Sequence, residues 1–329
     1  MDKHRLVFVT GCAGFIGFHF SIRLLKEGST VIGLDQMNQY YDPKLKWDRL
    51  ELLKQFPTFT FIKGSIENKE LLDNIFQQYP FDVVVHLAAQ AGVRYSLTNP
   101  EAYIQANIVG FGNMLECSRK HHIPHLLYAS SSSVYGNQKS IPFSEGDKVD
   151  EPISLYAATK KSNELMAFTY SHLYRLPTTG MRFFTVYGPW GRPDMALFSF
   201  TDAIVHSKPI KIYNYGKMKR DFTYIDDCIE AIMMLLKKVP EEQKSVPYKI
   251  YNIGGQHPIS LEDFIQVIEK NLGIKAEKEY LPLQPGDVHE TYADIRELMI
   301  DTGYVPKVTV EEGIKRFVDW YKDYYDISS

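Results

Sequence analysis

This 329-residue chain has few cysteines, no large excess of one charge and no long apolar run. The three cysteines, Cys12, Cys117 and Cys228, lie far apart, which fits neither a disulfide framework nor a metal site and favours a reducing cytosol. A formal net charge of -3 without a long run of one sign argues against nucleic acid or an anionic membrane as the main partner. The sequence has no stretch of about 18 apolar residues, so we expect no membrane span. We also expect no signal peptide, because the first strand begins almost directly after Met1.

A strand, a glycine turn and a helix start follow one another near the N-terminus. The apolar run 6–9 suits a strand buried on both faces, and Gly11, Gly14 and Gly17 then lead into an amphipathic segment, 15–26. The first glycine permits a sharp turn, the second lets backbone N–H groups approach a pyrophosphate, and the third lets the helix pack against the strand. The helix N-terminus also favours negative phosphates. The segment therefore predicts a dinucleotide loop, although glycines at this spacing also occur by chance.

A carboxylate follows at the distance expected for a ribose ligand. The predicted second strand, 30–35, ends in Asp35, which lies roughly 20 residues past the loop, where an acid can bind both ribose hydroxyls. No arginine follows it directly, so a 2′-phosphate would meet repulsion without compensation. We therefore predict NAD rather than NADP as the cofactor.

Strand and helix patterns alternate through the first half of the chain and are less regular in the second. The predicted strands lie at 6–10, 30–35, 58–62, 82–87, 126–130, 178–183, 210–213, 249–253 and 277–281. The predicted helices lie at 15–26, 44–55, 68–78, 100–119, 155–174, 195–206, 223–238, 260–271 and 311–325, and 282–287 is predicted as a loop over a site. The alternation predicts an α/β fold, a doubly wound parallel Rossmann sheet with a smaller C-terminal α/β lobe. We expect a cofactor domain at 1–185 with a return segment near 217–254, and a substrate lobe at 186–329.

Tyr156 and Lys160 are four residues apart and share one face of a predicted helix. A phenol is a poor base at neutral pH, but a nearby ammonium stabilises its phenolate. Tyr156 can then take a proton from a substrate hydroxyl while the neighbouring carbon gives hydride to NAD. An amphipathic helix often produces this spacing with no such role. The serine run that follows the fifth predicted strand, including Ser131 and Ser133, offers hydroxyls that can relay a proton.

Taken together, the glycine loop, Asp35, the Ser131 region and the Tyr156/Lys160 pair resemble the extended short-chain dehydrogenase/reductase family over nearly the whole chain. Three longer segments, 182–196, 220–227 and 284–288, closely resemble the UDP-glucuronate 4-epimerases within it.

The resemblance implies a role for each matching position. The implied catalytic residues are Tyr156 as the base, Lys160 as its electrostatic partner, and Ser131 and Ser133 as hydroxyl partners. The implied cofactor-binding residues are Gly11, Gly14, Phe15, Ile16, Gly17, Asp35, Ser65, Ile66, Leu87, Ala88, Ala89 and Lys160. The implied substrate-binding residues are Arg94, Ser132, Thr185, Arg192, Arg220 and Asp287. The resemblance also implies a homodimer joined through the helices 100–119 and 155–174.

The position of acidic residues distinguishes the reactions of this family. Related dehydratases carry an Asp-Glu pair after the fifth strand, and related decarboxylases carry a glutamate there, whereas this chain has Ser132 and Ser133. Without an acid to assist elimination, we expect 4-epimerisation of a UDP-sugar. The reaction we favour is the conversion of UDP-glucuronate to UDP-galacturonate. We expect Thr185, Arg192 and the serines to hold the sugar carboxylate.

Some alternatives stay open at this point. The chain can be an epimerase of neutral UDP-sugars, or a non-catalytic scaffold that senses NAD. Ser65-Ile66 stands where the family usually has an acid-apolar pair against adenine. We expect no metal site, because the cluster His121, His122 and His125 is ordinary for the end of a helix.

Overall fold

The computed structural model of this protein describes residues 4–241, 245–284 and 286–327. Its first half alternates strands and helices as expected. These elements are β1 (Leu6–Thr10), α1 (Phe15–Lys26), β2 (Thr30–Asp35), α2 (Lys44–Lys54), β3 (Phe59–Lys63), α3 (Lys69–Gln78), β4 (Val83–His86), α4 (Tyr95–Thr98), α5 (Pro100–Tyr103), a π-helical segment (Ile104–Gly110), α6 (Phe111–Lys120), β5 (Leu126–Ser131), a short 3₁₀ turn (Ser132–Tyr135), α7 (Leu155–Tyr174) and β6 (Thr178–Phe183).

The second half carries shorter elements. They are β7 (Thr185–Tyr187), α8 (Ala196–Val205), β8 (Ile210–Ile212), a 3₁₀ turn (Tyr213–Gly216), β9 (Lys219–Tyr224), α9 (Ile225–Leu235), β10 (Tyr248–Ile253), β11 (Pro258–Ser260), α10 (Leu261–Leu272), β12 (Lys278–Tyr280), α11 (Arg296–Thr302) and α12 (Val310–Tyr324).

Seven parallel strands form the central sheet, in the order β10-β6-β5-β4-β1-β2-β3. Alternate residues of β1 enter different apolar clusters, Val7 and Val9 one and Phe8 the other, so both faces of the sheet are covered. The predicted doubly wound α/β class is confirmed. The strand order reverses between β1 and β4, where ligands bind in such sheets.

The later part of the chain both rejoins this sheet and builds small sheets of its own. β10 pairs with β6 at the edge of the central sheet, while β11-β9-β7 and β12-β8 form separate sheets. The division of the chain into domains at residue 185 stays a prediction. Pro285, within the predicted loop 282–287, lies outside the described residues.

Two predicted helices differ from what the structure shows. The predicted helix 223–238 begins two residues later, because Thr223 and Tyr224 end β9, a strand that the sequence analysis missed, and it ends at Leu235. The predicted helix 100–119 is helical throughout, but its middle, Ile104–Gly110, is π-helical. The cause lies in tertiary contacts: Asn107 binds the backbone of Gln90 in both directions, at 2.9 Å and 3.0 Å. Strands β7 and β11 and helices α4 and α11 were also missed.

Within the described residues, no helix is both long and apolar enough to span a bilayer.

Candidate active site

One cavity of about 920 Å³ lies over the carboxyl ends of the central strands and collects the residues predicted from the sequence. The predicted cofactor-binding residues that line it are Gly11, Gly14, Phe15, Ile16, Gly17, Asp35, Ser65, Ile66, Leu87, Ala88, Ala89 and Lys160. The predicted catalytic and substrate-binding residues that line it are Arg94, Ser131, Ser132, Ser133, Tyr156, Thr185, Arg192, Arg220 and Asp287. The fold thus brings all of them to one cavity, while the role of each stays a prediction.

The glycine loop has no space for side chains and leaves the start of α1 open to an anion. Gly11 has a φ of +73°, and a Cβ on it would lie 2.8 Å from the amide nitrogen of Ala88. A Cβ on Gly17 would lie 2.1 Å from the carbonyl oxygen of Gly11. Helix α1 has no side-chain cap bond and no acidic residue in its first turn. The loop therefore fits the diphosphate of a dinucleotide.

Asp35 ends β2 with its carboxylate fixed and lining the cavity. It accepts hydrogen bonds from the backbone N–H groups of Ala13, at 3.1 Å, and Met37, at 2.8 Å. The structure adds Lys46, a buried cavity residue whose Nζ lies 4.0 Å from Asp35 Oδ1 and donates to Asn38 Oδ1 at 2.6 Å. The sequence argument for NAD assumed that no cation near Asp35 compensates a 2′-phosphate. That argument was incomplete, because Lys46 of α2 supplies such a cation.

Ser65 and Ile66 lie where the resemblance places adenine. The Ser65 hydroxyl accepts from the backbone N–H of Glu67 at 3.3 Å and can still donate through its own proton. Ile66 is buried, and its side chain packs so closely on Gly110 that a Cβ there would lie 2.6 Å from Ile66 Cδ1. Ile66, at the apolar position of the family's acid-apolar pair, is thus part of the core. Ser65, at the acid position, offers a polar group to the cavity.

Tyr156 and Lys160 both lie on α7 and line the cavity. Burial raises the pKa of Tyr156, and the Ser131 hydroxyl and the Arg192 charge oppose that rise. The Lys160 ammonium donates to the carbonyl of Ala129 at 2.8 Å, and burial lowers its pKa to about 8. The direct support for the phenolate therefore comes from Ser131, and the expected effect of Lys160 on Tyr156 stays a prediction.

The serines are placed by the end of β5 and by a buried ion pair behind it. Ser131 Oγ accepts from the backbone N–H of Ser133 and donates to its Oγ, both at 3.2 Å. One residue earlier, Ser130 donates to Glu164 at 2.7 Å, and Glu164 accepts two bonds from Arg182, at 2.8 Å and 2.9 Å. This pair links β5, β6 and α7, so it orients the strand end that carries the serines. Sequence reasoning missed this pair, since its members are far apart in the chain.

The part of the cavity around Arg192, where we expect the sugar and which we call the sugar end, contains a carboxylate that sequence reasoning missed. Arg192 donates through Nε and Nη2 to Asp194, at 2.9 Å and 2.5 Å, and Tyr40 donates to the same carboxylate at 3.1 Å. Burial raises the pKa of Asp194, but Arg192 and these hydrogen bonds outweigh it and hold the pKa below its ordinary value. Arg192 is therefore ion-paired, which the sequence analysis did not foresee. Thr185 lines the same cavity from β7.

Two guanidinium groups and one carboxylate lie at the other end of the substrate region. Arg94 Nη2 lies 3.3 Å from Asp287 Oδ2, and its guanidinium stacks 4.4 Å from the ring centre of Tyr213. Arg220 is held by the backbone carbonyls of Val288, at 2.6 Å, and His289, at 3.1 Å. Burial lowers the pKa of Arg220, an effect that Asp287 opposes. The cluster carries a net positive charge suited to a diphosphate.

Among residues 4–241, 245–284 and 286–327, no group of three or more His, Cys, Asp or Glu side chains could hold a metal ion. In the suspected histidine cluster, His125 is buried and its Nε2 pairs with Thr179 Oγ1 at 2.8 Å, and burial lowers its pKa to about 3. It is a buried core residue with one ring nitrogen hydrogen-bonded.

Known proteins resemble this chain over nearly its full length. Residues 7–254 match the NAD dependent epimerase/dehydratase family. Protein CapI of Staphylococcus aureus is 55% identical over 97% of this chain and 99% of CapI. A probable UDP-glucuronate 4-epimerase of Rhizobium meliloti (strain 1021) is 49% identical over 96% of this chain and 97% of that protein. The crystal structure of UDP-glucuronic acid 4-epimerase from Bacillus cereus with UDP-glucuronic acid and NAD is 36% identical, with a TM-score of 0.90 over 97% of this chain and 100% of that one.

Proposed function

This chain belongs to the NAD dependent epimerase/dehydratase family, and from that premise we propose that it interconverts UDP-glucuronate and UDP-galacturonate by epimerisation at C4. The observation that carries the proposal is the set of residues that line one cavity. They include the glycine loop, Tyr156 and Ser131, the guanidinium groups of Arg94 and Arg220, and the serines 132 and 133. The proposal is supported by the names of the relatives above.

The side chains of the site move a proton on and off the sugar. The phenolate of Tyr156 accepts the proton of the C4 hydroxyl, and the Ser131 hydroxyl stabilises that phenolate. NAD held by the glycine loop and Asp35 would supply the acceptor for the hydride of C4 and its donor on return. The 4-keto sugar turns in the cavity between these steps, and Tyr156 gives its proton back to the oxygen. Substrate and product then have the same composition and differ only at C4.

An acidic sugar adds a second requirement. The 4-keto form of a hexuronate is a β-keto acid, which loses carbon dioxide when the bond to the carboxylate aligns with the carbonyl π system. We expect Thr185, Arg192 and the serines 131–133 to hold the carboxylate out of that alignment. Hydroxyls and a guanidinium are suited to this task because they donate to a carboxylate in fixed geometry.

The ion pair at the sugar end favours a second candidate, an epimerase of neutral UDP-sugars. Asp194 already neutralises Arg192, so the attraction between this end and an anionic sugar is weaker than a free guanidinium would give. A third function, a non-catalytic scaffold that senses NAD, has the intact Tyr156, Lys160 and Ser131 against it.

A substrate panel distinguishes these functions. The purified protein is incubated separately with UDP-glucuronate, UDP-glucose and UDP-N-acetylglucosamine, and the products are separated by ion-exchange chromatography. We expect conversion of UDP-glucuronate with a kcat/KM at least tenfold above that of either neutral sugar. Faster conversion of a neutral sugar would establish the second candidate. Bound NAD without turnover on any of the three would establish the scaffold.

We also propose that the protein is a homodimer in a reducing compartment such as the cytosol. Four large apolar side chains on α7, Leu165, Phe168, Leu173 and Tyr174, are between 45% and 59% exposed, which suits burial against a second copy. The three cysteines are free and buried, as expected where disulfides are not needed. Light scattering coupled to size exclusion should give twice the mass of the chain, and Phe168→Glu should shift it to the single mass.

A further inference from the structure

Arg49 of α2 is a fully buried cation, with 0% of its surface exposed. Across residues 4–241, 245–284 and 286–327 it forms no salt bridge with a carboxylate, and its Nε has no hydrogen-bond partner. Burying a guanidinium without a counter-charge is costly, so its neighbours must stabilise it in another way. The neighbours are oxygen atoms of three chain segments: a carbonyl of the glycine loop, the hydroxyl of Tyr41, and two carbonyls of the segment that precedes Arg192.

The two η nitrogens of Arg49 join the cofactor loop to the sugar end. Nη1 donates to the carbonyl of Ala13, inside the glycine loop, at 2.9 Å. Nη2 donates to the carbonyl of Trp190 at 2.6 Å and to that of Gly191 at 3.3 Å. The next residue is Arg192. A single rigid planar group thus connects the turn that fits a diphosphate to the segment that places the guanidinium of the sugar site.

His19 of α1 holds the same segment from the cofactor side. Its Nε2 lies 2.9 Å from the carbonyl of Pro189. Burial lowers the pKa of His19 to about 4, so the ring is neutral at physiological pH and donates through this nitrogen. Together with the two bonds from Arg49, three consecutive carbonyls, 189 to 191, are held by side chains of α1 and α2. Trp190 has a φ of +60°, a conformation that a tryptophan rarely adopts without such support.

We propose that Arg49 is a positioning residue that couples occupancy of the cofactor loop to the placement of Arg192. The proposal rests on the proposed function for its consequence, but the coupling itself does not. A ligand on the loop fixes Ala13, Ala13 fixes Arg49, and Arg49 fixes the carbonyls that precede Arg192. The sugar site is then fully ordered only when the cofactor is in place. The 4-keto sugar, which forms only with NAD present, therefore always meets an ordered Arg192.

Amide hydrogen exchange of segment 188–195 tests the coupling without turnover. The protein is stripped of NAD and measured with and without added NAD. In the wild type, NAD should slow exchange of this segment about tenfold or more, an effect the size of one or two charge-assisted hydrogen bonds. In Arg49→Lys, which keeps the charge but loses the planar fork, NAD should slow it less than twofold. Tyr41→Phe is the matched control, because it removes another hydrogen-bond partner of Arg49 Nη1, at 2.9 Å, and leaves the three carbonyl bonds; it should respond like the wild type.

A second variant covers the case in which Arg49→Lys fails to fold. His19→Leu removes the bond to Pro189 and leaves the three carbonyl bonds of Arg49, so exchange should be faster with and without NAD, while the slowing of exchange by NAD stays as in the wild type. Loss of the NAD response in His19→Leu, or a wild-type response in folded Arg49→Lys, would overturn the proposal.

The product ratio tests the consequence. In the wild-type background, Arg49→Lys should raise the share of decarboxylated UDP-pentose about tenfold. In the Arg192→Ala background, the same change should raise that share by less than a further twofold, since Arg49 acts through Arg192. Effects that multiply fully in the double variant would overturn the proposal. If the wild type does not convert UDP-glucuronate, the proposed function fails, and the exchange measurement alone decides the coupling.

Discussion

The two ends of the cavity are built in different ways. At the cofactor end, the glycine loop and Asp35 come from one continuous β1-α1-β2 unit, and their polar groups are tied to the backbone. At the sugar end, Thr185, Arg192 and Asp194 are joined by residues from other parts of the chain, and charged side chains hold one another. The backbone hydrogen bonds at the cofactor end hold their polar groups in one geometry. At the sugar end, a substrate can take the place of one partner in an ion pair.

This difference separates retention of the cofactor from choice of the reaction. An epimerase reduces and reoxidises the same NAD in each turnover, so a rigid loop that never needs to release it is an advantage. The reaction outcome depends on how a 4-keto sugar is held, and that task needs directional charged contacts. Variants of the sugar end should therefore change the reaction outcome and spare NAD retention, whereas loss of NAD from the cofactor end should also loosen Arg192 through Arg49.

The largest effect is expected when the base is removed from the reaction centre. Tyr156→Phe should lower kcat by about 10³-fold, because it removes the proton acceptor. The amount of NAD bound to the purified protein should not change, since the loop is untouched. Tyr95→Phe is the control, because its hydroxyl only accepts from Asn99. A Tyr156→Phe enzyme with more than a tenth of the wild-type kcat would contradict the assignment.

The next effect tests the rigid end. Gly17→Ala should destabilise the protein by about 2–3 kcal/mol, because the new Cβ would lie 2.1 Å from the Gly11 carbonyl oxygen, and it should lose bound NAD. Urea unfolding and the NAD content per chain measure both. Gly112→Ala is the matched control: it is also a helical glycine, and its Cβ would meet Met166 at an ordinary 3.5 Å. Gly112→Ala should raise the free energy of unfolding by about 0.5–1 kcal/mol. Equal effects of the two would refute the account of the loop.

A smaller effect tests the adaptable end. Arg192→Ala should raise the share of UDP-pentose by-product about tenfold, because the sugar carboxylate loses a charge-assisted contact, while NAD stays bound. Thr185→Val should act in the same direction to a smaller extent. Chromatography of the products measures the ratio of UDP-pentose to UDP-galacturonate. If neither variant makes more UDP-pentose than the wild type, the carboxylate is not held as proposed.

The smallest effect is on pH dependence. Activity needs the Tyr156 phenolate, whose fraction rises with pH, and the Lys160 ammonium, which is lost as pH rises through about 8. Because the pKa of Tyr156 lies above that of Lys160, kcat/KM should rise up to about pH 8, stay level while the gain of phenolate offsets the loss of ammonium, and fall only above the pKa of Tyr156. In Ser131→Ala, kcat/KM at neutral pH should drop and the falling limb should move to higher pH, because the hydroxyl that lowers the pKa of Tyr156 is gone. An unchanged kcat/KM at neutral pH, with the falling limb in place, would show that Ser131 does not support the phenolate.

The same contrast explains what could be predicted from the sequence. Gly11, Gly17 and Asp35 could be predicted because the loop and the acid lie within one short βαβ unit whose geometry follows from local rules. Lys46 was missed because only the folded chain brings it close to Asp35. Asp194 was missed although it lies two residues after Arg192, because the sequence does not show that the two side chains turn towards each other. The resemblance of segment 182–196 to the family pointed to Thr185 and Arg192. It did not reveal the ion pair between Arg192 and Asp194.

Tertiary contacts also decided the local structure that was missed. The π-helical turn around Asn107 depends on bonds to Gln90, 17 residues earlier. Strand β9 was taken for loop and helix start because its polar sequence shows no apolar alternation, and it becomes a strand by pairing with β7 and β11.

The central claim is that one end of the cavity retains NAD while the other directs epimerisation of an acidic sugar. Proton NMR of the purified protein with UDP-glucuronate, without added cofactor, tests both parts at once. The account predicts that signals of UDP-galacturonate grow in to a constant ratio with UDP-glucuronate, with only trace UDP-pentose. Conversion that starts only after NAD is added, or that occurs with UDP-glucose but not with UDP-glucuronate, would contradict it.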